Sequence, residues 1–167
     1  MINPEILVQL NRTEEQLIKL LDADVREIFA TMVGINISLC QTTNVHTKFT
    51  DSVSALVGFA GCYNGMIGLN TSKKLAISFT SQMLGMEAAE CDEADVTDAV
   101  GEIVNMMGGS FKHHFVNNGH EVRLSTPSVI SGDEYVLSVG VAPDTLTIMF
   151  EYDTEKFMVS LYLETGD

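Results

Sequence analysis

The sequence predicts an α+β domain of two layers, with long helices packed on one face of a mostly antiparallel sheet. Three observations carry that expectation. Predicted elements run helix, strands, helix, helix, strands. The strands fall in two blocks, without the regular βαβ alternation of a parallel sheet. Turn residues separate neighbouring strands within each block. The 167 residues suit a single domain over 1–167, long enough to bury a core. Hydrophobic residues make up 46% and charged residues only 19%, the reverse of the balance that keeps a chain disordered.

Asn3-Pro4 starts a first helical turn, with Pro4 where an amide partner is absent anyway. The segment "NRTEEQLIKLLDADVREIFATMVGI" is the first long helix. Thr13 and Gln16 form a capping box. Leu17, Leu20, Leu21, Val25, Ile28, Phe29 and Met32 mark its buried stripe, and Gly34 ends it. "INISLCQTTNVHTKFT" and "SVSALVGFAGCYNGMIGLNT" read as strands. Asn64-Gly65 is expected to turn a hairpin, since both residues tolerate positive φ. "TSKKLAISFTSQMLG" reads as a short helix, capped by Thr71 or Ser72 and stopped by Gly85. An acidic linker, "MEAAECDEAD", leads into a second long helix, "DVTDAVGEIVNMMGGSFKHHF", Asp95 to Phe115. After Asn118-Gly119 the pattern switches to period two. Three or four strands follow, with turns expected near Ser131-Gly132-Asp133, Pro143-Asp144 and Asp153-Thr154.

The net charge is −14 with only nine Lys+Arg, so nucleic acid and anionic membrane surfaces are poor partners. An acidic surface suits a partner with exposed lysines. Three cysteines, Cys40, Cys62 and Cys91, show no CxxC pair, which argues against a disulfide framework and a thiolate zinc site. The N-terminus lacks a basic start followed by an apolar run, so no signal peptide is expected. No apolar run reaches membrane-spanning length. Cytoplasm is the default compartment.

The histidines, His46, His113, His114 and His120, show no HExxH or His-x3-His spacing, and no metal site is expected from them. No GxSxG elbow accompanies the Ser, His and Asp residues. Gly61, Gly65 and Gly68 surround the predicted hairpin and read as turn and packing glycines, since no helix follows to make a phosphate loop. The nine methionines are scattered through apolar stripes as core filler.

The helix Asp95–Phe115 holds the polar constellation that matters. At about 100° per residue, Asp98, Glu102, Asn105, Gly109 and Lys112 fall within a strip of about 80°. Val96, Val100, Ile103, Val104, Met106, Met107 and Phe111 occupy the other side. Spacing alone favours an ordinary solvated face. Two details point the other way. Asn is a poor helix former because its side chain competes for backbone hydrogen bonds. Gly weakens a helix interior by roughly 1 kcal/mol against Ala, yet Gly101, Gly108 and Gly109 all sit here. The glycines are expected to let another surface lie close against the ridge, Gly109 beside Asn105 above all.

Glu and Asn at i and i+3 point the same way. Asn carries both donors and an acceptor and can orient a water molecule; Glu can pair with a lysine. Neither is a nucleophile here. Phosphoryl transfer needs little covalent help and gains from positioning water and stabilising charge. An amide aligning water against a phosphoryl group brought by a partner fits this pair.

The stretch "DAVGEIVNMMGG" resembles the active-site helix of the CheC/CheX/FliY chemotaxis phosphatases. That helix carries Asp or Ser, then Glu, then Asn, at the spacing of Asp98, Glu102 and Asn105, with a later proline corresponding to Pro127. The long N-terminal helix, the "GFAGCYNGMIGLNTS" hairpin, the helix ending in "MLG" and the "TPSVISG" strand also fall where a CheX-like domain has them. The resemblance covers nearly the whole chain. CheC-type members carry a second ExxN motif on the first helix. Here Glu27 is followed three residues later by Ala30, so the chain resembles the single-site CheX branch.

The resemblance implies a phosphorylated CheY-type response regulator as substrate and hydrolysis of its aspartyl-phosphate by in-line water attack. Asn105 would orient the water, Glu102 would dock a regulator lysine, and Asp98, Gly109 and Lys112 would complete the contact. Mg²⁺ would be carried by the regulator, with no cofactor on this chain. CheX relatives dimerise through their sheets, so a homodimer is expected. A different class of function is a non-catalytic dimeric adaptor holding a receiver domain through the same helix. A third is a small-molecule-binding domain with an apolar pocket, for which no converging polar residues speak.

Overall fold

A computed structural model describes residues 1–44, 46–116, 121–139 and 145–166. The expected Asn118-Gly119 switch, His120 and the Pro143-Asp144 turn lie outside the described residues.

Helix α1 (Pro4–Leu10) is capped by Asn3, whose side chain accepts from the Glu5 N–H. Helix α2 (Glu14–Ile28) begins in the expected capping box: Gln16 N–H donates to Thr13 Oγ1 at 3.2 Å, and Thr13 N–H donates to Gln16 Oε1 at 2.9 Å. Its last turn, Phe29–Val33, is a π-turn closed by the Gly34 N–H on the Phe29 carbonyl at 2.8 Å. The extra residue in that turn rotates the helix phase. Val33 is buried as a result, and Met32, expected in the stripe, is 45% exposed. Gly34 then takes φ 81°, a left-handed stop.

Strands β1 (Ser38–Thr43), β2 (Lys48–Gly61) and β3 (Tyr63–Ser72) follow. The β2–β3 hairpin forms, but its turn is not at Asn64-Gly65. It lies at Gly61-Cys62, and Asn64 and Gly65 are the second and third residues of β3. Two contacts move it. The Asn64 side chain reaches back to accept the Gly61 N–H at 3.3 Å. Gly65 lies opposite Phe59, whose ring covers it so closely that a Cβ there would stand 2.5 Å from Phe59 Cζ and 2.2 Å from the Tyr162 carbonyl oxygen. Gly65 thus serves close approach rather than a turn. Helix α3 (Lys73–Leu84) is capped by Ser72 and stopped by Gly85 at φ 65°.

A short 3₁₀ turn, Ala88–Glu90, interrupts the acidic linker. Helix α4 (Glu93–Phe115) starts at an Asp92–Asp95 capping box. The C-terminal strands are β4 (Val122–Leu124), β5 (Ser128–Val136), β6 (Thr145–Tyr152) and β7 (Glu155–Thr165). The turn expected at Ser131-Gly132-Asp133 is absent: these residues run inside β5, with Ser131 and Gly132 paired to Val53 and Ser52 of β2. Asp153 and Thr154 do make a tight turn, both at positive φ, 47° and 69°.

The sheet order is β1-β6-β7-β3-β2-β4, with β5 also pairing β2, and every pairing among the described residues is antiparallel. Alternate residues Val53, Ala55, Val57 and Phe59 of β2 point into one core with α4 residues Val100, Ile103, Val104, Met107 and Phe111. The two-layer α+β arrangement is therefore as the sequence predicts. Phe29, Phe79 and Phe157 form its aromatic centre, with ring centroids 4.9–5.3 Å apart. Phe115 stacks on Phe59 at 5.6 Å and fixes the end of α4 over the β2–β3 hairpin.

Candidate functional site

Helix α4 lies over β2 and β3 and meets α2 and α3 on its flanks. Its apolar side faces the core, so its polar strip is left at the surface. Asp98 and Glu102 are exposed, and Asn105, Gly109 and Lys112 are half-buried. Among the described residues, no side chain of Asp98, Glu102, Asn105 or Lys112 makes a hydrogen bond or ion pair. Several charged groups elsewhere are paired. Lys19 pairs with Glu15, Arg26 with Asp22, and Lys74 with Glu155. Lys73 holds Asp133 at 2.7 Å and lies 3.6 Å from Asp51. That contact raises the Lys73 ammonium and lowers the Asp133 carboxyl from their ordinary ranges. Among the described residues, the ridge side chains are left uncommitted by the fold, as are Glu93, Thr97, Ser110 and His113 elsewhere on α4.

The three α4 glycines divide by role, which corrects the expectation that all serve an external contact. Gly101 is buried against β5: a Cβ there would stand 3.5 Å from Val129 Cγ2 and 3.7 Å from Pro127 Cβ. Gly108 is buried against β2 and β4, with a Cβ 3.1 Å from Val57 Cγ1 and 3.5 Å from Leu124 Cδ1. These two set how close the helix lies to the sheet. Only Gly109 opens outward, with nothing within 4 Å of an added Cβ.

Asp98, Glu102 and Asn105 stand on the outer strip of α4 and line none of the five best-formed cavities among the described residues. Side chains on an outer helix strip are placed to meet a partner surface, whereas small-ligand sites are concave. An apolar cavity does exist on the far face of the sheet, lined by Phe49, Leu56, Met66, Asn70 and Tyr162 among others. His114 Nε2 hydrogen-bonds the accepting carboxylate of Asp24 at 2.7 Å and joins α4 to α2, and His113 and His46 are exposed. Among the described residues, no group of three His, Cys, Asp or Glu gathers as a metal site. Glu27 is exposed on α2.

One feature was not legible in the sequence. Leu56 pairs with Ser128 and Phe59 with Leu124, so two residues of β2 face three of the partner edge, Ser125 to Pro127. This is a β-bulge, and it lies beside α4. The Ser-Thr-Pro run was its only trace, read as part of a continuous strand.

The family model described as "Chemotaxis phosphatase CheX" matches residues 53–151, more than half of the chain. A curated relative, "CheY-P phosphatase CheX" of Thermotoga maritima, is 28% identical over 156 residues, covering 92% of this chain and 99% of its own. A crystal structure of a chemotaxis protein CheX from Desulfovibrio desulfuricans is 30% identical, with TM-score 0.77 and coverage of 89% of this chain and 99% of that one. A CheX-CheY-BeF3-Mg+2 complex from Borrelia burgdorferi shares the fold at 19% identity, TM-score 0.74, over 89% of this chain and 97% of that one. The helix with its free polar strip, the sheet order beneath it and these matches agree, and the chain belongs to the CheX family of chemotaxis phosphatases.

Proposed function

We propose that this chain is a protein aspartyl-phosphate phosphatase that hydrolyses the phosphoryl group on a CheY-type response regulator. The observation that carries the reading is the row of Glu102 and Asn105 on α4, solvent-facing and without hydrogen-bond partners among the described residues. The family and the printed activity of the Thermotoga relative support it.

Asn105 stands beside the phosphoryl group, accepting from the attacking water through its carbonyl oxygen and donating through its amide. Fixing the water in line removes much of the entropic barrier. Glu102 pairs with a regulator lysine and sets the register of docking. Asp98 and Lys112 contact the edges of the same surface, and Gly109 leaves room between them. The ridge does not fit a magnesium site of its own. Mg²⁺ demands a near-octahedral set of oxygens, and the ridge brings only two carboxylates, Asp98 and Glu102. The ion belongs to the regulator. The reaction is assigned to the cytoplasm, and the chain to a homodimer through the sheet face that carries the half-buried Leu56, Met66, Met149 and Tyr162.

The test is phosphate release from a phosphorylated CheY-type receiver. Wild type should accelerate release, and Asn105→Ala should abolish most of the acceleration while still binding the receiver. Equal rates for wild type and Asn105→Ala would remove the mechanism. Receiver binding with an unchanged phosphoryl lifetime would identify an adaptor instead.

A further inference from the structure

Polar residues scattered in the sequence converge on the sheet face away from the helices. Val53, Ala55 and Val57 of β2 point to the helices, so Ser54 and Leu56 point the other way. Cross-strand pairing sets two rows on that face: Met149, Met158, Asn70 and Ser54, then Thr147, Ser160, Gly68 and Leu56. Gly68 stands inside the second row without a side chain and lines a cavity of about 280 Å³ together with Leu56, Asn70, Ser160 and Phe49. Phe49 stacks on Tyr135 with ring centroids 5.4 Å apart. The Leu137 N–H donates to the Thr47 carbonyl at 2.8 Å, which ties together two segments that wall the cavity.

One polar group inside is left over. Ser54 is fully buried, and its Oγ donates to Asn70 Oδ1 at 2.6 Å. Its single hydrogen is then used, so it accepts from Tyr135 Oη, 2.8 Å away. This chain engages the Asn70 carbonyl and leaves Nδ2 on the side of Gly68, where an added Cβ would stand 3.8 Å from it. Asn70 is only 7% exposed, and neither N–H of its amide has a hydrogen-bond partner among the described residues. A buried donor left unpaired is costly, and a ligand acceptor relieves that cost. No Asp, Glu, Lys or Arg among the described residues lines the cavity, so a charged ligand would lose its hydration without a countercharge.

We propose that this cavity binds a small, neutral, largely apolar molecule whose carbonyl oxygen accepts from Asn70 Nδ2. The proposal is independent of the phosphatase reading. The cavity lies on the sheet face given to the homodimer, so a second copy is the competing occupant. Asn70 is nearly closed off from solvent, which suits a molecule that enters the recess better than a surface laid across it.

The experiment titrates the protein with prodan, a neutral naphthalene fluorophore with one ketone carbonyl, and with an analogue of it carrying propyl in place of propionyl. Wild type should bind prodan saturably, one to one, with a blue-shifted emission. Gly68→Val fills the hollow and should raise Kd at least about tenfold; Met66→Trp fills it from the half-buried rim if Gly68→Val does not fold. Asn70→Leu removes the donor at similar size, and should raise Kd for prodan about tenfold while leaving the propyl analogue within about twofold. Circular dichroism checks that each variant is folded, and sedimentation fixes the oligomeric state at each concentration. Absence of saturable binding to wild type, or wild-type affinity in a folded filled variant, overturns the site. Equal losses of both probes in Asn70→Leu overturn the role of the amide. Binding that disappears where the chain is a dimer gives the recess to a second copy and overturns the small-molecule reading.

Discussion

Gly109→Ala separates the needs of the fold from those of the contact. Gly109 sits inside a helix that runs from Glu93 to Phe115, and nothing lies within 4 Å of an added Cβ. Alanine there should gain the full helix-propensity difference, about 0.5–1 kcal/mol. For a chain of this size that raises the melting temperature by about 2–4 °C per kcal/mol. The neighbouring position is a control. Gly108→Ala places its methyl 3.1 Å from Val57 Cγ1, and the packing conflict offsets the propensity gain. If Gly109 is glycine so that a regulator can approach, the methyl that stabilises the free protein should hinder docking. Overpacking a close contact costs on the order of 1–3 kcal/mol, a rise in KM of roughly 5- to 150-fold. Thermal unfolding and phosphate-release kinetics on the same preparation read both effects. A stabilised Gly109→Ala with unchanged KM and kcat refutes the close-approach role. A destabilised one refutes the reading of α4 as an unstrained helix open at Gly109.

Glu102→Ala should weaken receiver binding, and the salt dependence of KM should flatten, because a lost ionic contact leaves less for counterions to screen; a slope equal to wild type argues against a Glu102–lysine pair. Ser54→Ala removes a buried hydroxyl that bonds Asn70 Oδ1 at 2.6 Å and Tyr135 Oη at 2.8 Å, and urea titration should show a loss of about 1–3 kcal/mol with Asn105-dependent turnover intact. Gly65→Ala drives a methyl into the Phe59 ring and the Tyr162 carbonyl, so its soluble yield and melting temperature should fall sharply; a wild-type melting curve would show that the hairpin can shift to admit it.

Much of the site was legible because it is a local property. Helical spacing puts Asp98, Glu102 and Asn105 on one strip wherever the helix goes, and the apolar residues of α4 dictate which side is buried. The glycines were read only in part. Helix periodicity shows that Gly101, Gly108 and Gly109 are out of place energetically, but not which surface each one meets. That depends on Val57, Leu124 and Val129 of β2, β4 and β5 and on Pro127 between the last two, all outside the helix on one side or the other. The misplaced hairpin turn has the same origin. Asn64-Gly65 satisfies turn propensity, yet the Phe59 ring needs Gly65 inside a strand, and cross-strand packing outweighs a local preference. The π-turn at Phe29–Val33 likewise exchanges Met32 for Val33 in the core without changing the helix that contains them.

The element order, the helix starts at Asn3 and Thr13, a cap at Thr71 or Ser72, the stops Gly34 and Gly85, and the polar strip of α4 were all legible from the sequence alone. Each is set by residues within a few positions of one another, where backbone sterics and side-chain hydrogen bonds act directly. Which glycine opens to solvent, where the β2–β3 turn falls, and the packing of a Ser125-pinned bulge near Gly101 of α4 were settled by the tertiary structure alone. Those outcomes depend on the contact distance between a helix and a sheet whose strands come from both ends of the chain, and no local pattern encodes a distance of that kind.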